Sequence, residues 1–187
     1  MGHYRWVELK LFETLGRWVA TVPEPDVKRG LAVHGQHHAG HAEHLRAVLP
    51  ELGHPRPLDA ELLTCPANPA VEELMVAVAQ PQAPDLTIEK LVGAYRVVIP
   101  HLIATYSYHL SCIDEIADGP VIREIGFIQR DLVDDAARGE RLLEALVATP
   151  RDIERATHHQ NRLQELLLAS GGVAGPGTLG SSTAREK

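Results

Sequence analysis

Eleven histidines occur in this chain of 187 residues, and five of them, His34, His37, His38, His41 and His44, fall within the stretch HGQHHAGHAEH. An imidazole is both a metal ligand and a proton carrier at neutral pH, so such a cluster invites either chemistry. Which histidines meet depends on the face each takes once the segment is helical. Side chains step by about 100° per residue around a helix. That places His34, His38 and His41 among Val27, Leu31, Leu45 and Leu49 on one apolar face, with His37 and His44 toward the flank, where solvation is expected. His38 and His41 are three residues apart, so both rings reach one point.

The preceding segment carries an apolar stripe of Tyr4, Leu11, Leu15, Val19 and Val22, and Glu8 falls inside it while Glu13 lies nearly opposite. A carboxylate on an apolar face is costly unless paired or coordinated. The plain alternative is a glutamate near a helix start, favoured by the dipole and reached by water. Glu8 precedes His38 by thirty residues, a spacing that a short hairpin brings into register. A lone core histidine is usually a hydrogen-bonded structural residue. Three on one inward stripe, facing a glutamate, point to a site.

Two later segments complete the candidate set. Over 86–117 the inward face reads Ile88, Leu91, Leu102 and Ile113, joined by Tyr95, Tyr106 and His109, while Asp114 and Glu115 point away. His109 is the strong ligand type there. Tyr95 and Tyr106 are expected in the core with satisfied hydroxyls, where they would also line a substrate cavity. Over 120–148 the stripe is Val121, Ile128, Leu132 and Leu146, with Glu124, Asp131 and Asp135 along one edge. Arg123, Arg130 and Arg138 are close in sequence, so surface pairing is the alternative for those acids. The resulting expectation is Glu8, His38, His41 and His109 as catalytic groups. The same four with Asp131 and Asp135 would be metal ligands, and His34, Tyr95, Tyr106 and Glu124 would border a substrate pocket.

The elements that must position these groups are helices. Hydrophobic residues make up 44% and aromatics 4%, a balance that suits packed helices better than a β-sandwich. Helices are expected over 4–21, ended by Pro23 and Pro25, and from Asp26 as N-cap to about Leu49, stopped by Pro50 and Gly53. Asn68 and Pro69 open a short helix on a long connection. A third long helix is expected from Asp85 to 117 with a kink at Pro100, a fourth over 120–148, and a shorter one after Thr149 and Pro150. One domain over 1–169 and a disordered tail over 170–187 follow. Two hairpins joined by a long crossover between helices 2 and 3, with short extra helices, make an all-α, ferritin-like four-helix bundle the expected fold.

Net charge is −7 and the basic residues are scattered, which argues against nucleic acid as a partner. No run approaches the roughly 20 apolar residues of a membrane span. Cys65 and Cys112 form no CxxC pattern. A cytoplasmic setting is therefore expected, with a small molecule as partner and a homodimer left open.

The order WVELKLFETLGRW, VPEPDVKRGLAVHGQHHAGHAEHL, a crossover, YSYHLSCIDEIADGP and RDLVDDAARGERLLEAL, across about 4–148, resembles the small ferritin-like proteins of high-GC bacteria. The resemblance implies a helical bundle, often with a non-haem di-iron centre that activates oxygen or oxidises iron. This chain departs from that metal pattern. Neither carboxylate-x-x-His pair is intact, with His38-x-x-His41 in one place and the Asp131 to Asp135 region in the other. Three readings stay open. The first is a metalloprotein, with mono- or di-iron or another first-row metal, that oxidises or oxygenates a small organic molecule. The second is a metal-free bundle using His, Glu and Asp for acid/base chemistry. The third is a non-catalytic helical interaction protein. A histidine-rich metal site like that of the damage-inducible bundle proteins is a variant of the first.

Overall fold

In the computed structural model, residues 1–49 and 63–176 are described. Pro50 and Gly53, the expected stop of the second helix, lie outside them, as does the part of the expected tail beyond Pro176. Helices and no strands occur among the described residues, so the chain is all-α there.

Helix α1 spans Gly2–Thr21 and gives way to extended backbone at Val22, between which and α2 stands Pro23. Helix α2 spans Pro25–Ala47. Its first residue is Pro25 and its N-cap is Glu24, so Asp26 does not cap it as expected. Proline suits the first helical position because the missing amide would be unsatisfied anyway, and Asp26 then adds its charge to the positive end of the dipole. Helix α3, Pro69–Ala79, opens as expected, with the Asn68 side chain accepting from the Val71 amide at 3.0 Å.

A 3₁₀ turn at Pro84–Leu86 leads into α4, so Asp85 sits inside a tight turn rather than at a cap. Helix α4 comprises Thr87–Leu91, a π-helical stretch Val92–Val98, and Ile99–Cys112. Pro100 has no amide hydrogen to offer the Arg96 carbonyl, and the disturbance expected there takes the form of this widened turn. The helix stops at Cys112, short of 117, because Ile113 is extended and Asp114 Oδ1 accepts from the amides of Ile116 and Ala117, both at 2.9 Å. Helix α5 spans Gly119–Leu146 and α6 spans Pro150–Ala169.

Thr149 and Asp152 form a reciprocal capping box at the start of α6. Thr149→Ala should therefore lower stability by about 1 kcal/mol, read as a shifted urea midpoint with unchanged slope. Beyond Ser170 the chain does not leave the fold at once. Gly171 and Gly172 take positive φ, and the turn they make delivers Val173 into the core, fully buried. The packed chain thus reaches past residue 169, the expected edge of the domain.

Four helices surround the polar core. Arg5 reaches the Ala42 carbonyl while Glu8 meets His38 and His41, so α1 and α2 run antiparallel. His44 meets Glu124 and His37 meets Asp135, which sets α5 antiparallel to α2. Arg96 pairs with Glu140 and Gln129 with Ser107, setting α4 antiparallel to α5. Tyr4 meets His109 and Thr21 meets Lys90, closing the ring between α1 and α4. It follows that α2 and α4 point the same way, and the chain between them must travel the length of the helices. Helix α6 lies outside this ring, packed on α3 and on the first half of α4.

Leu11, Leu15, Trp18, Leu31, Leu45, Leu91 and Leu102 are fully buried. Each contributes on the order of 1.5–3 kcal/mol, the driving force that lets charged groups be buried beside them. No described helix is long and apolar enough to cross a membrane.

Candidate metal centre

The α1/α2 hairpin builds the site because its apolar stripes are interrupted at matching heights. Glu8, His38 and His41 are all buried and face one another across the hairpin. One oxygen of Glu8, Oε2, accepts from Nδ1 of His38 at 2.5 Å and lies 3.2 Å from Nδ1 of His41. The other, Oε1, accepts from the Tyr106 hydroxyl of α4 at 2.7 Å. Burial pushes the Glu8 carboxyl up, but the charge and hydrogen bonds of the two histidines outweigh it and hold it at about 2. Glu8 is thus a carboxylate with acceptors only, which assigns the Nδ1 protons to both imidazoles.

That assignment turns attention to the far nitrogens. His38 Nε2 is buried with no hydrogen-bond partner among the described residues. In the neutral ring with Nδ1 protonated this nitrogen carries a lone pair, the form in which histidine binds a metal while a carboxylate orients the ring from behind. His41 Nε2 lies 3.3 Å from Asp131 Oδ2, so this ring stands between two carboxylates. Burial pushes His41 down, but its bonds to Glu8 and Asp131 prevail and raise it. Glu8, His38 and His41 offer ligand atoms that all lie within 4.8 Å of one another, the spacing of a potential cation site.

A second polar layer lies one turn away. His34 Nδ1 is 2.6 Å from the Tyr95 hydroxyl, and His37 Nδ1 donates to Asp135 Oδ2 at 2.8 Å. Asp135 Oδ1 sits 3.3 Å from His34 Nε2 without completing a hydrogen bond. Burial is the main cause that depresses His34 to about 4; Asp135 opposes it, while His37, His38 and Arg138 add to it.

His34 is therefore neutral at pH 7, and the sign of its pH dependence follows. Between about 4 and the ordinary 6.5 the unfolded chain binds the extra proton, so His34 costs stability as the pH falls through that window. Denaturation midpoints should drop from pH 7 to pH 4.5, and more steeply in the wild type than in His34→Gln. Equal slopes would dismiss His34 as the cause.

Of the other expected site residues, Tyr106 and Asp131 touch the trio and the rest lie apart from it. His109 is half-buried and its Nδ1 meets the Tyr4 hydroxyl at 3.1 Å. Tyr4 stands between it and Tyr106, ring edge against ring at 4.9 Å. Glu124 pairs with the exposed His44 toward the other end of α5. Asp131 is half-exposed and touches the trio only through His41, whereas Asp135 is fully buried in the second layer. Tyr95 and Tyr106 are buried, with hydroxyls engaged by His34 and Glu8. His37, expected to be solvated, instead anchors Asp135. Nothing local in sequence marks that bond, because it depends on the register between α2 and α5.

No family model, no curated protein and no solved structure matches this chain.

Proposed function

We propose that this chain is a metalloprotein of the ferritin-like bundle type, with His38 and His41 as ligands to a first-row metal, iron foremost, and Glu8 holding both rings from behind. Its reaction in this reading is oxidation or oxygenation of a small organic molecule. The observation that carries the reading is His38 Nε2, a buried nitrogen without a partner, in a group of three ligand-type side chains spaced for one cation. Burying such a nitrogen unsatisfied is costly, and a metal would satisfy it. The bundle type is supported by the helix directions, since a full-length crossover between parallel α2 and α4 is what separates that topology from a simple up-and-down bundle. A single metal suits the residues better than a pair. Helix α5 has no histidine, so the second carboxylate-x-x-His of a di-iron site has no counterpart.

When bound, such a metal supplies a redox-active or Lewis-acidic centre. The chain's own groups have separate tasks. Glu8 fixes the rotation of both imidazoles through their Nδ1 protons, and Tyr106 fixes Glu8. His41 and the half-exposed Asp131 give a proton a route between the buried carboxylate and solvent. That route also favours a second reading, acid/base catalysis without metal, in which His41 itself would shuttle the proton.

Metal content separates the two. Full-chain protein grown with iron and purified without chelators should hold about one metal atom per chain by mass spectrometry, and His38→Ala/His41→Ala should hold none. Wild type that stays metal-free after anaerobic loading would leave the acid/base reading in its place.

A further inference from the structure

Helices α2 and α5 part beside the second polar layer and leave a cleft of about 340 Å³ with His34 on its border. Its charge is opposite to that of the chain. Against a net charge of −7, the cleft is bordered by Arg29, Arg138 and Arg141 and by a single acid, Asp26. Asp26 already pairs with Arg29 on its own helix. Arg138 and Arg141 are exposed and form no ion pair among the described residues. Three apart on α5, they project from one face, so two guanidinium forks converge on the same space.

The remaining walls are apolar. Val33 is 43% exposed on the α2 side and Leu142 borders the cleft from α5. Gly30 lets Leu142 lie close against α2 as the floor of the cleft, because a Cβ there would come within 2.8 Å of Leu142 Cδ1. A cleft with two unpaired arginines at one side and a hydrocarbon wall suits a ligand with one anionic end and a carbon body.

We propose that this cleft binds a small organic anion of the carboxylate class, its carboxylate held by Arg138 and Arg141 and its body laid over Gly30, Val33 and Leu142 toward His34. That this anion is the substrate rests on the metalloprotein reading. His34 is one turn before His38 on the same face of α2, so the cleft opens beside the metal trio. The binding itself depends only on the cleft.

The test is ligand-observed NMR on the full chain in a low-salt buffer free of phosphate and carboxylate, with hexanoate as probe and hexan-1-ol and inorganic phosphate as controls. Hexanoate should bind saturably at one site and more tightly than either control. Arg138→Gln/Arg141→Gln should weaken it about ten-fold or more, with metal content and helicity unchanged. Val33→Glu, which places a competing carboxylate at an exposed position, should weaken it comparably.

No saturable hexanoate binding, equal binding of hexan-1-ol or phosphate, or undiminished binding in the double variant would overturn the proposal. Failure of the two readings is distinguishable. Hexanoate binding to a protein that takes up no metal removes the metal centre and keeps the cleft, whereas metal uptake without hexanoate binding does the reverse.

Discussion

Glu8→Ala should destabilise the metal-free protein by about 3–5 kcal/mol and abolish metal retention. One side chain holds three buried donors, the Nδ1 groups of His38 and His41 and the hydroxyl of Tyr106. Truncation leaves all three facing a void, and His41 retains only Asp131 as an anionic partner. Glu8→Gln keeps the volume and an acceptor for Tyr106 but turns an amide against an imidazole N–H, so an intermediate loss is expected. Guanidinium denaturation of both variants measures the effect, and mass spectrometry on the same samples reads the metal. A loss below about 1 kcal/mol in Glu8→Ala, the worth of an ordinary single hydrogen bond, would mean that the trio is not the tightly coupled unit its distances describe.

The second large effect comes from a glycine. At Gly139 on α5 an added Cβ would lie 2.1 Å from Cδ1 and 2.2 Å from Cγ of Tyr95, whose ring is 3% exposed and has no room to retreat. Gly139→Ala should therefore cost about 1–3 kcal/mol or more through overpacking, even though alanine is the better helix former. It should also disturb the Tyr95 hydroxyl at His34. Gly126 on the same helix is the control, since nothing lies within 4 Å of a Cβ there. Gly126→Ala should be stabilising by roughly 0.5–1 kcal/mol. Combining Gly139→Ala with Tyr95→Leu should recover part of the loss, a coupling that thermal denaturation of the four proteins in the cycle measures. Losses that simply add would dismiss the clash as the cause.

The inward stripe of α2 was legible in sequence because α1 and α2 are regular helices joined by three residues. A constant angular step then suffices to place Glu8, His34, His38 and His41 inside, and the structure buries all four. The same arithmetic weakens on α4. The π turn at Val92–Val98 changes the step midway, so the faces before and after it are no longer in phase, and His109 ends against Tyr4 rather than beside His38. Helix ends were legible where a side chain closes the cap, as at Asn68 and Thr149. They were misplaced at Asp26 and Asp85, where a proline begins the turn earlier. The bonds from His37 to Asp135 and from His44 to Glu124 were not legible at all. They join helices about 80 to 100 residues apart, whose relative height no local pattern encodes.

The trio also has an order of assembly written into its spacing. Glu8 lies 30 and 33 residues from His38 and His41, whereas its bond to Tyr106 spans 98 residues and that of His41 to Asp131 spans 90. Contacts close in sequence carry the smaller loop-closure cost and form sooner. Glu8, His38 and His41 thus come together within the first hairpin, which leaves the ribosome before α4 and α5 exist. On this chain the first hairpin gathers the trio and the second seals it from water, so in the proposed metal reading an ion present during synthesis would meet the trio while it is still open.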